Sequence, residues 1–338
     1  MRRGIELGKA LVVLAVTILV VVPVFAGGSS EGTGAASDRL GIAMVLPGPV
    51  NDGGYNSGGK AGLDALGSRF DARTSFADSV APTDFVEVFR DFAGQGYDFV
   101  IGHGNQFNDA AMLVRTEFPN TTFIVNGGQD WPGGNYLSVG YHEAHAGFVP
   151  GYIAGRMTQT NRAAGIGGFD FPGIVAQLEG FRQGFEYANP DGQVGITYIG
   201  TMDNVATAKE AALAQIDAGA DVVFQIVNQA GPGVFEAARE RNVYAVGFAS
   251  DQSRFAPDHV ITSLTIDFGR LYGAAIELVL SGATIEQKIY RFGYETDPPP
   301  IGHAGTHLIP PDILADVDAV KQRLGSGEIQ TELIFTRQ

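Results

Sequence analysis

The chain has 338 residues, a formal net charge of −15 and no cysteine. A strongly acidic surface repels phosphate backbones and anionic lipid headgroups, so nucleic acids and membrane surfaces are excluded as expected partners. Without cysteine the chain forms no disulfide and no thiolate metal site, and it lacks the residue that carries the lipid anchor of many exported receptors.

The N-terminus has the pattern of a secretory signal peptide over residues 1–26. A positively charged segment precedes an apolar run at residues 10–22, and small residues stand at Val24 and Ala26. The apolar run is shorter than the ~20 residues that a membrane-spanning helix needs. We therefore expect export with cleavage after Ala26, a flexible Gly/Ser-rich leader at residues 27–38, and a periplasmic or extracellular location.

From Leu40 onward, short apolar runs alternate with longer stretches of helical period, which is the pattern of βαβ units feeding a parallel sheet. Length and period separate the two types. The predicted strands are 40–46, 72–77, 98–101, 121–125, 163–167, 194–199, 221–226, 243–247 and 260–264, with a further short extended run at 136–139. The predicted helices are 56–69, 83–95, 107–117, 143–158, 173–187, 205–218, 232–240, 267–281 and 311–324. The pattern predicts an α/β fold.

The chain beyond the leader, about 300 residues, is large for a single core and is typical of two lobes. Breakers in the segment NGGQDWPGGN indicate that the chain first crosses between lobes within residues 126–142. We expect the N-terminal lobe to comprise residues 39–141 plus about 266–290. The C-terminal lobe then comprises residues 142–265 plus part of 291–338.

Five loops that follow predicted strands combine glycine with amide, acidic or aromatic side chains. They are PGPVNDGGYNSGG, GHGNQFND, GGFDFPG, VNQAGPG and GFASDQ. In open parallel sheets ligands bind beyond the carboxyl ends of the strands, where such loops converge. Carboxylates and amides hydrogen-bond hydroxyls or ring nitrogens, and aromatic faces stack on rings. The loops therefore predict a neutral polar ligand with a planar part, and their lack of lysine and arginine disfavours phosphate.

The same residue types also have structural roles. An Asp or Asn in such a loop caps a helix or forms a turn about as often as it binds a ligand. Phe169 and Phe171 are equally compatible with core packing, and His103 with a structural position in a turn.

Motifs for catalysis or metal binding are weak. The patterns HEAH at 142–145 and HxxxH at 303–307 do not match H-E-x-x-H, and no third ligand is evident. GIGGFD at 165–170 departs from the dinucleotide fingerprint at its last glycine, and neither a nucleophile elbow nor a Walker motif occurs. We expect a chain that is not an enzyme and uses no cofactor and no metal.

Several long segments in the same order resemble the basic membrane protein family of ABC-transporter substrate-binding proteins, which includes purine nucleoside receptors. The resemblance covers almost all of residues 40–338. Its segments are VNDGGYNSGG, HEAHAGFVPGYIAGRM, GIGGFDFPGIVAQLEGFRQGF, NPDGQV, AGADVVFQIVNQAGPGVFEAA and VYAVGFASDQ. It implies the two-lobed type I periplasmic-binding fold, and a purine nucleoside or free base delivered to a transporter permease and its ATPase.

By this resemblance, Asp52 and Asn56 match the polar pair of the first loop, Tyr55 matches an aromatic that stacks on the base, and Asp251 matches the second acid of a G-V-D-x-D-Q pattern. Two positions depart from the nucleoside branch. Ala249 replaces the first acid, and Ile266 lies near the place of a lysine. Because buried hydroxyls without partners cost ~1–3 kcal/mol, both changes disfavour a ribose.

We predict that the ligand ring lies between Tyr55 and an aromatic of the second lobe, while polar side chains read its edge. The predicted ligand-binding residues are Asp52, Tyr55, Asn56, His103, Asn105, Phe169, Phe171, Asn228 and Asp251. Riboflavin, a sugar or a signalling molecule on the same frame remains an alternative ligand. A nucleoside hydrolase is a remote alternative, since the acids are scattered one per loop.

Overall fold

The computed structural model describes residues 39–128, 133–286 and 288–337. The predicted signal peptide and leader lie outside these residues, as does the middle of the breaker segment at 129–132. No helix in the described part of the chain is long and apolar enough to cross a membrane.

The strands of the described residues have the following bounds. They are β1 Gly41–Val45, β2 Arg73–Ala77, β3 Phe99–Gly102, β4 Thr122–Asn126, β5 Tyr136–Tyr141, β6 Arg162–Gly167, β7 Gln193–Tyr198, β8 Val222–Ile226, β9 Tyr244–Gly247, β10 Val260–Ile266, β11 Ile289–Phe292 and β12 Ile301–Gly305. The predicted strands are all present with bounds shifted by one or two residues, whereas β11 and β12 were not predicted.

The α-helices each lie within about four residues of a predicted helix. They are α1 Tyr55–Arg69, α2 Phe85–Gly94, α3 Asn108–Val114, α4 Glu143–Met157, α5 Pro172–Ala188, α6 Val205–Asp217, α7 Gly231–Arg241, α8 Phe268–Leu280 and α9 Pro311–Gly325. The predicted helix at 83–95 begins with a 3-10 turn, Pro82–Asp84, before α2.

The described strands form two six-stranded sheets, ordered β11-β5-β4-β3-β1-β2 and β12-β10-β9-β8-β6-β7. All neighbours in the first sheet are parallel, and in the second only the pair β10 and β12 is antiparallel. The predicted α/β class is confirmed. We call each sheet with the helices packed on it the first lobe and the second lobe.

Helices cover both faces of the sheets, which is why central strands read as unbroken apolar runs. Every residue of β1 and β8 is buried. The covering helices show the complementary pattern, with Phe85, Phe89 and Phe92 of α2 buried on one face.

The chain passes between the lobes after β5, after β10 and after β11. Backbone hydrogen bonds tie these passages together, from His142 N to Phe292 O at 3.0 Å and from Asp267 N to Pro300 O at 2.7 Å. The first passage falls at His142, at the edge of the segment predicted for it. The residue limits predicted for the lobes stay predictions.

Glycine lines the contact between α4 and α5. A Cβ added to Gly147 or Gly151 of α4 would overlap the backbone of α5, and a Cβ added to Gly180 or Gly184 of α5 would overlap the backbone of α4. The two helices therefore pack backbone against backbone, and this contact sets the position of α4 where the chain enters the second lobe.

Candidate functional site

A cavity of about 850 Å³ lies between the lobes at the carboxyl ends of their strands. This volume is in the range of small-molecule sites. Amide and aromatic side chains dominate its wall. They include Tyr55, Asn56, Asn105, Gln106, Asn108, Asn126 and Tyr141 from the first lobe and Phe169, Phe171, Gln177, Asn228, Gln229 and Phe248 from the second.

Tyr55 presents an aromatic face to the cavity from the first turn of α1. One side of its ring stacks on His103, with 4.0 Å between the ring centres and an angle of 26°. Its hydroxyl accepts a hydrogen bond from Asn126 Nδ2 at 2.8 Å. These contacts hold the ring in place.

His103 supports Tyr55 and does not line the cavity. Its ring nitrogens contact the hydroxyl of Tyr272 at 2.6 Å and the backbone oxygen of Tyr55 at 3.0 Å, and its side chain is fully buried. Burial lowers the pKa of His103 to about 4, so the imidazole is neutral at pH 7.

Asp52 caps the first turn of α1 and does not line the cavity. Its carboxylate accepts from the backbone N–H groups of Gly54, Asn56 and Ser57 at 2.8–3.0 Å, and from the side chains of Asn56 and Ser57. Burial alone raises the pKa of this carboxyl, but the hydrogen bonds outweigh that effect and hold the pKa below its ordinary value. Asp52 thereby orients Asn56, which does line the cavity.

Asp52→Asn is expected to change the response of stability to acid. A carboxyl whose pKa is lowered by folding stabilises the protein above its ordinary pKa, and this contribution is lost as the pH falls toward the folded-state value. The wild type should therefore lose more stability than the variant between about pH 6 and about pH 3. Urea unfolding across this range measures the difference, and parallel curves for the two proteins would contradict the assigned role.

Three amide oxygens of wall residues have no hydrogen-bond partner among the described residues. They are Asn56 Oδ1 from the first lobe and Gln177 Oε1 and Asn228 Oδ1 from the second. Asn228 has a left-handed backbone, with φ of +50°, in the loop that follows β8. Because buried polar atoms are normally paired, these oxygens are suited to accept from a ligand.

The second lobe contributes Phe169 and Phe171 from the loop between β6 and α5. Their rings stack on each other at 5.2 Å, and 45% of Phe171 is exposed. Phe171 is therefore not packed in the core, and both rings lie in the cavity wall.

Asp251 does not line the cavity. It is exposed, and its Oδ1 accepts from Ser253 N at 2.9 Å, which shapes the loop after β9. The neighbouring Ser250 donates from Oγ to Gly53 O of the first lobe at 2.9 Å. The loops of the two lobes therefore touch at the rim of the cavity.

The charged residues of the wall were not predicted from sequence. Glu143 at the start of α4 accepts from Arg291 Nε of β11 at 3.2 Å. Burial raises the pKa of Glu143, and the guanidinium of Arg291 opposes that shift. With Asp203 as the remaining charged residue of the wall, the formal charge around the cavity is negative, which disfavours an anionic ligand.

The histidines of the HEAH segment pack on each other, with 3.5 Å between the ring centres of His142 and His145. Within the described residues no group of three or more His, Cys, Asp or Glu is arranged to hold a metal ion.

The chain is similar to known solute-binding proteins over most of its length. The family of ABC transporter substrate-binding proteins described as PnrA-like, Bmp, matches residues 40–297. A purine-binding protein of Brucella abortus is 25% identical over 315 residues, covering 91% of this chain and 87% of that protein. A putative ABC transporter glucose-binding protein of Haloferax volcanii is 24% identical over 306 residues, covering 90% of this chain and 75% of that protein.

A solved structure of an ABC transporter solute-binding protein from Conexibacter woesei has the same fold. It matches with a TM-score of 0.74 and 26% identity, covering 88% of this chain and all of the other. The likeness extends over both lobes.

Proposed function

The chain belongs to the basic membrane protein family of ABC-transporter substrate-binding proteins, and on that premise we propose that it binds a purine, as the free base, between its lobes. The family consists of extracytoplasmic solute-binding proteins with the type I periplasmic-binding fold, which are not enzymes. Beyond what the family gives, we propose the purine ligand, the cavity between the lobes as its site, and residues 1–26 as an export signal.

The observation that carries the proposal is the pair of aromatic surfaces on opposite lobes. One face of Tyr55 is covered by His103, which leaves the other for the cavity, and Phe169 and Phe171 lie in the wall of the second lobe. A planar heteroaromatic ring fits between such surfaces because stacking favours it. A purine-binding relative that matches 91% of the chain supports the same ligand class.

Amide side chains, and not the loop acids Asp52 and Asp251, then form hydrogen bonds with the edge of the ring. Asn56 and Asn228 offer acceptors without partners from the two lobes, and a base supplies N–H donors to both. Of the residues predicted from sequence, we retain Tyr55, Asn56, Asn105, Phe169, Phe171 and Asn228 as ligand contacts. Asp52 and Asp251 instead shape their own loops, and His103 supports the ring of Tyr55.

A free base is favoured over a nucleoside by the environment of Ala249 and Ile266. Both are buried, and Ile266 N donates to Ala249 O at 3.2 Å, so the two positions are adjacent. Neither side chain can hydrogen-bond a hydroxyl. Neither residue lines the cavity, so a ribose gains no hydrogen bond at these two positions, and hydroxyls left without partners cost ~1–3 kcal/mol.

Thermal denaturation of the purified protein tests the proposal. The panel is adenine, guanine, hypoxanthine, their nucleosides, riboflavin and glucose. A ligand that binds only the folded state stabilises it by about 2.7 kcal/mol at about 100 times its dissociation constant. We expect a base to raise the midpoint and its nucleoside to have a smaller effect. A shift with nucleosides alone would refute the free-base assignment, and a shift with glucose or riboflavin alone would refute the purine.

A further inference from the structure

Three residues from distant parts of the chain meet in one corner of the cavity. Arg291 lies on β11, Glu143 begins α4, and Phe335 lies in the segment after α9. The guanidinium of Arg291 lies over the ring of Phe335, 5.3 Å from its centre, while its Nε donates to Glu143 Oε2 at 3.2 Å. All three residues line the cavity.

The segment that carries Phe335 is fixed to the second lobe. The backbone N–H and carbonyl of Glu332 bond the side chain of Gln183 on α5 at 2.8 and 3.0 Å. Two residues beyond Phe335, Arg337 pairs with Asp170, which lies between Phe169 and Phe171. Phe335 is therefore held against the cavity from both sides.

The contacts of Arg291 leave part of its binding capacity unused. Of its nitrogens only Nε has a hydrogen-bond partner among the described residues, although a guanidinium offers five N–H donors. Glu143 Oε1 likewise makes no hydrogen bond to another described residue. An ion pair with only a structural role stabilises the fold most when all its donors and acceptors have partners, because burying an incompletely paired charge is costly. The corner thus offers charged donors beside a free acceptor.

We propose that Arg291, positioned by Glu143 and Phe335, selects ligands with a ring carbonyl, so that 6-oxopurines such as hypoxanthine and guanine bind in preference to adenine. This inference rests on the proposed function. A ring carbonyl carries two lone pairs and accepts from the guanidinium, and the adjacent ring N–H donates to Glu143. Adenine has an amino group at that position, which is a donor and meets the donors of Arg291.

The test is isothermal titration of hypoxanthine, guanine and adenine into wild type and Arg291→Gln. We expect wild type to prefer the oxopurines by about tenfold, the effect of ~1.4 kcal/mol, and the variant to lose most of this preference. The ratio of affinities is the readout, because a general loss of folding moves all three ligands together. Arg69→Gln, which breaks an ion pair with Glu277 outside the cavity, is the matched control and should keep the preference.

In Arg291→Gln the buried carboxylate of Glu143 loses its cationic partner, so the double variant Glu143→Gln with Arg291→Gln is a second control. Its ratio of oxopurine to adenine affinity should match that of Arg291→Gln. Equal or tighter binding of adenine by wild type would overturn the inference, as would a preference that survives in both variants. Binding of adenine alone leaves the purine proposal standing. Failure of all three bases to bind would instead refute the proposed function.

Discussion

Replacing Tyr55 with Ala is expected to weaken binding of a purine base by about 10- to 100-fold. Stacking of a base on an aromatic side chain is worth ~1–3 kcal/mol when measured by alanine substitution. Tyr55 lines the cavity with one side of its ring packed on His103, so its removal takes away the wall on which the base lies. Isothermal titration of wild type and variant measures the loss.

Tyr55→Phe is the matched control for this substitution. It keeps the ring and removes only the hydroxyl that accepts from Asn126 at 2.8 Å. We expect its affinity to stay within about threefold of wild type, because the ring that stacks on the base is kept and the lost hydrogen bond is made within the protein and not to the ligand. If Tyr55→Ala binds as well as Tyr55→Phe, the ring does not stack on the ligand.

Replacing Gly184 with Ala is expected to destabilise the protein by about 3 kcal/mol and to lower Tm by roughly 6–12 °C. A Cβ at this position would overlap the backbone of Phe148 on α4, and backbone atoms of a helix cannot move aside as a flexible side chain does. Because α4 and α5 must separate, the cost includes contacts along the whole interface. Calorimetry of the ligand-free protein measures the change.

Gly173→Ala on the same helix provides the comparison. Nothing lies within 4 Å of a Cβ added there, and its backbone is not left-handed. Alanine is favoured over glycine in a helix by about 0.5–1 kcal/mol, so this variant should be as stable as wild type or slightly more so. Equal stability of the two alanine variants would show that α4 and α5 are not in backbone contact.

The spacing of apolar residues was sufficient to predict most of the helices and strands, because central strands and covering helices differ in length and in burial. It failed at β11 and β12, where IYRF and IGHAG are short, only partly buried at most positions, and placed near prolines. Each pairs at the edge of a sheet with a strand distant in sequence. The local sequence of β11 or β12 therefore contains no pattern that predicts this pairing.

The cavity wall was predicted where it consists of loops that follow predicted strands. Arg291 was missed because β11 was missed, and Phe335 because nothing in its own segment indicates a contact with residues 44 positions earlier. Asn126 and Tyr141 were not predicted as wall residues, although they end strands β4 and β5 and ligands are expected beyond the carboxyl ends of such strands. The loop acids Asp52 and Asp251 were predicted as ligand contacts, but in the structure each accepts hydrogen bonds from the backbone of its own loop.

Equilibrium binding of free purine bases to the purified protein decides whether a purine is the ligand. Protein freed of bound small molecules by unfolding and refolding is titrated calorimetrically with hypoxanthine, guanine and adenine. We expect one saturable site per chain with a dissociation constant of about 1 μM or lower, about −8 kcal/mol. Absence of saturable binding for all three bases, with glucose or riboflavin binding in their place, would contradict this expectation.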